Sequence, residues 1–123
     1  LAPEIVNSSQ HIVDRNEDDK WILEELEKAT KKITQSLEKY RLNEGAETLY
    51  DFVWKKLADI YIEKIKDRRE DSKNTLLYVL QETLRLAHPF MPFVTEEIWQ
   101  RAKGKKTDYF KEEALIIAQW PKV

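Results

Sequence analysis

The side chains that could do chemistry in this chain are mostly cations and aromatic rings. Lysines and arginines fall in clusters: Lys28, Lys31 and Lys32, then Lys55 and Lys56, then Arg68 and Arg69, then Arg101 through Lys106. Cations grouped at helical spacing can hold phosphate oxygens, although the same grouping makes an ordinary solvated face. Trp21, Trp54, Trp99 and Trp120 have flat faces of the kind on which unpaired bases stack. Trp54 and Trp99 stand among apolar neighbours, so core packing is the expectation for both. Trp21 and Trp120 lie near segment ends, and packing is again expected ahead of stacking.

Catalytic chemistry finds less support. His11 and His88 are far apart, and no ligand spacing accompanies either, so a zinc site is not expected. His88 reads as a helix-end residue whose ring can meet terminal carbonyls. Glu96 and Glu97 are adjacent and would point about 100° apart on a helix, a poor geometry for shared acid–base work. Favourable charge near a helix N-terminus explains them. The chain has no glycine-rich phosphate loop, and cysteine is absent, which excludes disulfides and thiolate metal sites. A cysteine-free chain fits a cytosolic protein.

These residues must be positioned by helices. Charged residues make up 36% of the 123-residue sequence, with only 2 glycines and 4 prolines, a composition that favours long helices with solvated faces. Net charge is −2, so any grip on a nucleic-acid backbone must come from local patches. No apolar run approaches the roughly 20 residues that span a bilayer. The first stretch, LAPEIVNSSQ, lacks a signal-peptide pattern, and residues 1–18 read as a polar linker or lead-in.

Residues 19–40 carry Ile22, Leu26, Ala29, Ile33, Leu37 and Tyr40 at spacings of three and four, the pattern of one helical face. Asp18 or Asp19 is placed to cap its start. Asn43 is placed to cap a second helix over 44–69, one continuous rod. It has one stripe of Leu49, Val53, Leu57 and Ile60, and another of Tyr50, Trp54, Tyr61 and Ile65. A third helix over about 72–88, capped by Ser72, shows Leu76, Leu80, Leu84 and Ala87, and Pro89 ends it. The fourth begins near Pro92 with Val94, Ile98 and Ala102 inward. The corner between them, HPFMPF, is apolar where a loop is usually polar. It is expected to fold inward as a plug of Phe90, Met91 and Phe93. ALIIAQWPKV then reads as one extended segment lying across the bundle. The expected fold is all-α, an antiparallel four-helix bundle over 19–123 with a short extended C-terminal segment.

DKWILEEL, AETLYDFVWKKLADIYIEKIK, LLYVLQETLRLAHPFMPFVTEEIWQ and LIIAQWP, in that order, resemble the anticodon-binding domain of class I aminoacyl-tRNA synthetases over about residues 18–121. LYDFVWKKLADIYIE and IIAQWP bring it closest to the valyl-tRNA synthetases. The isoleucine and leucine enzymes share HPFMPFVTEEIWQ and remain the alternative, as does a helical protein-interaction module. The resemblance implies a bundle that docks on the anticodon stem-loop of tRNA. The catalytic domain of the same chain would attach valine with ATP and Mg. This chain has no HIGH motif. KGKKT at 103–107 follows the fourth helix, the wrong place for a KMSKS loop, and reads as a solvated turn. On that footing Lys28, Lys31, Lys32, Lys55, Lys56, Arg68, Arg69 and Arg101 are the candidate tRNA-binding residues, with no catalytic residue, metal or cofactor in the chain itself.

Overall fold

The computed structural model describes residues 17–103, 109–110 and 120–121. These form helix α1 (Glu17–Glu38), helix α2 (Leu42–Tyr50), a π-wound continuation (Asp51–Ile62), helix α3 (Arg69–Ala87) and helix α4 (Pro92–Lys103). No strand occurs among the described residues. No described helix is long and apolar enough to cross a membrane.

α1 forms as its apolar spacing dictates. Ile22, Leu26 and Ile33 are fully buried, and Ala29 nearly so. α2 and its continuation run back along α1. As residue numbers fall on α1 they rise on the neighbour: Ser36 lies beside Gly45, Glu25 bonds Lys56, and Asp19 bonds Tyr61. The two rods are therefore antiparallel. α3 starts beside the start of α1, because Ser72 Oγ donates to Asp19 Oδ1 at 2.8 Å. Ser72 is thus a buried tie one turn inside α3 and not its cap.

The second rod is continuous but shorter than the sequence suggests. It is helical from residue 42 through 64, and Arg69 already opens α3. From Asp51 to Ile62 it is wound with i→i+5 bonding, a form that normally appears as a single turn. The wider winding changes which residues face inward. Leu49, Phe52, Leu57, Tyr61 and Ile65 are buried, whereas Tyr50, Trp54 and Ile60 are exposed. A 3.6-residue period places the last three inside; the added residues per turn carry Trp54 and Ile60 out, whereas Tyr50 already faces outward at the end of α2. Asn43 sits within the first turn of α2, and Arg41 precedes the helix with no side-chain cap.

α3 is the central element, with α1 on one side and α4 on the other. Its leucines 76, 77, 80 and 84 are half-buried, while Tyr78, Val79, Leu86 and Ala87 are buried together with Thr75, Gln81, Glu82 and Thr83. Most of these polar groups find partners, although Thr75 Oγ1 has no hydrogen-bond partner among the described residues. Thr83 Oγ1 donates to Val79 O at 2.6 Å. Glu82 Oε2 accepts from Arg85 Nη1 at 2.8 Å and from Gln81 Nε2 at 3.1 Å. α4 presents Thr95 and Trp99 inward; Val94 and Ile98, expected inside, are exposed. Trp99 is fully buried, edge-on to Phe110 at 5.3 Å between centroids, with the Arg85 guanidinium 5.8 Å from its ring.

The HPFMPF corner is not an inward plug. Phe90 is half-buried against Gly45, but Met91 and Phe93 are exposed, Phe93 at 89%. The corner is held by backbone and hydroxyl bonds. Thr95 Oγ1 donates to Met91 O at 2.7 Å, so its contact with His88 Nδ1 at 3.0 Å uses an N–H on that nitrogen. His88 therefore meets a hydroxyl, not a terminal carbonyl. A side chain at position 45 would begin 3.0 Å from Phe90 Cζ, which explains glycine there, where α2 and the corner approach each other.

The turn from α1 to α2 is a Schellman motif. Arg41 N donates to Ser36 O at 2.8 Å and Tyr40 N to Leu37 O at 3.1 Å. Tyr40 occupies the left-handed position with φ 58°, where glycine is usual. A non-glycine residue there costs about 1–2 kcal/mol. Tyr40 is therefore not on the inner face of α1. Residues 1–16 of the expected 1–18 lead-in, 104–107 of the KGKKT turn and most of the expected C-terminal extended segment lie outside the described residues, while Glu17, Asp18 and Lys103 are helical. At its described end, Trp120 packs on the core and its Nε1 donates to Thr34 Oγ1 at 2.9 Å.

Candidate nucleic-acid interface

The outer face of α1 carries Lys28, Lys31 and Lys32 at spacings of three and four, which brings their heads onto one patch. The neighbouring rod supplies Lys56 across a groove. This groove, about 230 Å³, is lined by Glu25, Lys28, Ala29, Lys32, Thr48, Asp51, Phe52 and Lys56. A second shallow depression beside it is lined by Glu24, Glu27, Lys28 and Lys31. The fold thus assembles four of the eight candidate cations from two elements, with Lys56 more than twenty residues from the other three in sequence.

Glu25 organises the groove. It is nearly buried, accepts from Lys28 Nζ at 3.2 Å, and is hydrogen-bonded by Lys56 Nζ. Burial alone would raise its carboxyl. The bonds from Lys56 and then Lys28, with their charges, outweigh burial and hold it below the ordinary carboxylate range. The stability it contributes is therefore present at neutral pH and is lost as pH falls through its lowered folded value. Acid melts of the parent chain and Glu25→Gln should show this. The parent's advantage is expected to be of the order of 1 kcal/mol near pH 7 and to shrink progressively as pH falls through the lowered range of its carboxyl.

Lys31 and Lys32 are exposed and make no ion pair among the described residues. Lys55 is exposed and turned aside, paired with Asp51 at 3.5 Å. The remaining candidates lie elsewhere. Arg68 pairs with Asp18, and Arg69 opens α3, both at the opposite end of α1 from Lys32. Arg101 sits on α4 and pairs with Glu97 at 2.9 Å. The structure does not bring these three to the groove.

Sequence reasoning missed two exposed aromatic features. Tyr50 and Trp54 are more than half exposed and lie with ring centroids 6.2 Å apart at 50°. Tyr40 stands 92% exposed at the α1–α2 turn. The break RLNEG directly after Tyr40 was a signal that it ends the helix; no local signal announces the π winding that turns Trp54 outward. Trp21 packs on the core, as expected.

The chain belongs to the family described as the anticodon-binding domain of tRNA ligase, matched over residues 19–123. Its curated relatives narrow the comparison. It is 43% identical over 110 residues to a valine–tRNA ligase of Fervidobacterium nodosum, covering 85% of this chain and 12% of that protein. It is 40% identical over 118 residues to the valine–tRNA ligase of Geobacter sulfurreducens, covering 89% of this chain and 13% of that protein. Over 113 residues it is 40% identical to the valine–tRNA ligase of Geobacillus stearothermophilus, covering 85% and 12%. The chain therefore spans about an eighth of the relatives it matches.

Proposed function

We propose that this chain is the part of a valine–tRNA ligase that docks on the anticodon arm of its tRNA. Lys28, Lys31, Lys32 and Lys56 hold the phosphates. The attachment of valine, with its ATP and magnesium, belongs to the remainder of such a ligase. The observation that carries the reading is the convergence of Lys28, Lys32 and Lys56 on one groove, with Lys31 in the depression beside it, in a chain of net charge −2. A phosphate ligand would compete with exposed Asp51 at little cost, whereas nearly buried Glu25 keeps its bonds to Lys28 and Lys56, whose remaining donors can face the ligand.

The clean variant is Lys31→Ala with Lys32→Ala, because neither residue supports Glu25. Binding of an anticodon stem-loop RNA from a valine tRNA is measured across a salt series. The parent chain is expected to lose affinity steeply with salt. The double variant should bind about tenfold more weakly at low salt, with the log–log slope flattened by about 1 per lysine. Arg101→Ala is expected to stay within about twofold of the parent, since Arg101 is off this surface. Binding that ignores salt in the parent chain would sink the proposal.

A further inference from the structure

We propose that Tyr40 is a stacking seat for one unpaired base of the bound RNA, an inference that rests on the anticodon-arm reading above. Its backbone is strained, with φ 58°, and glycine would relieve that strain. Its ring gives the fold nothing in return, since it is 92% exposed. A residue that costs stability and packs on nothing within the domain is explained by what the ring offers outside it.

The surroundings select the ligand. Lys28 and Lys32 on α1 and Lys39 just past its end follow one line at intervals of four and seven residues, and Lys39 is exposed. That line is about 16 Å long at 1.5 Å per residue, and it ends at Tyr40. Arg41 follows, 60% exposed and only loosely paired with Glu44 at 3.7 Å. A ring flanked by cations at the end of a basic line suits a polyanion with flat faces, which is single-stranded RNA. An apolar protein segment would have to bury these charges to reach the ring.

The test places 2-aminopurine at each loop position of the stem-loop RNA in turn and titrates it with the parent chain, Tyr40→Phe, Tyr40→Leu and Tyr40→Gly. Thermal melts report folding of each. The parent chain should quench fluorescence at one loop position, and Tyr40→Phe should keep that quenching. Tyr40→Gly should abolish it and weaken Kd by roughly 5- to 100-fold while Tm holds or rises by about 3–6 °C. Tyr40→Leu should lose the quenching as well, which a purely apolar contact would not predict. If Tyr40→Gly leaves Kd and quenching unchanged while the Lys31→Ala, Lys32→Ala variant still weakens binding, the seat is overturned and the docking function stands. If the folded parent chain does not bind the RNA even at low salt, both are overturned.

Discussion

Trp99→Ala is expected to destabilise the domain by about 3–5 kcal/mol, the largest effect of any single truncation considered. Trp99 is fully buried, and its contacts come from two sides. Phe110 meets its ring edge-on and Arg85 lies over its face, while half-buried Leu77, Leu80 and Leu84 of α3 pack around it. Alanine would leave a cavity lined by these groups and free Arg85 from its ring, and α4 would lose its main anchor to α3. Urea unfolding followed by circular dichroism measures this. A change below about 1 kcal/mol would mean that α4 is held by something other than its tryptophan. Trp99→Phe should recover roughly half of the loss, since it keeps a ring in the same place.

Asp19→Ala should cost about 2–4 kcal/mol, whereas Asp19→Asn should cost less. Asp19 is almost fully buried and accepts from Tyr61 Oη at 2.7 Å and Ser72 Oγ at 2.8 Å through the same oxygen. One carboxylate thus joins α1, the π-wound rod and α3. Removing it strands two hydroxyls in the interior, and asparagine can still accept from one or both. The same site sets an alkaline limit. Burial first, and then the bond to Asp19, push the Tyr61 phenol above its ordinary range. The unfolded chain ionises there at about pH 10 and the folded chain does not. Stability is therefore fully present below that pH and falls as pH rises beyond it. Melts between pH 8 and 11 should show the decline, and a flat profile would contradict the arrangement.

Much of this fold was legible because α1 obeys a plain helical period. Ile22, Leu26, Ala29 and Ile33 were placed inward by spacing alone and are buried. The family was legible from longer phrases such as HPFMPFVTEEIWQ. The errors have physical sources. Counting by 3.6 fails where the chain winds wider, so Trp54 and Ile60 were assigned to a face they do not occupy. Apolar residues were assumed to seek the interior, yet Met91, Phe93, Val94 and Ile98 are exposed, while Thr95 beside them is buried because its hydroxyl bonds backbone within the same turn. The lysines of the candidate site were found as separate clusters. That Lys56 would cross to Glu25 and Lys28 depended on the pairing of two rods, which no local pattern encodes.

The central helix has a thermal consequence. α3 hides Thr75, Gln81, Glu82 and Thr83 among its leucines. Melting would hydrate these groups alongside apolar surface, and the two kinds of hydration change heat capacity in opposite directions. These four side chains should therefore add less to the heat capacity of unfolding than leucines in their places would.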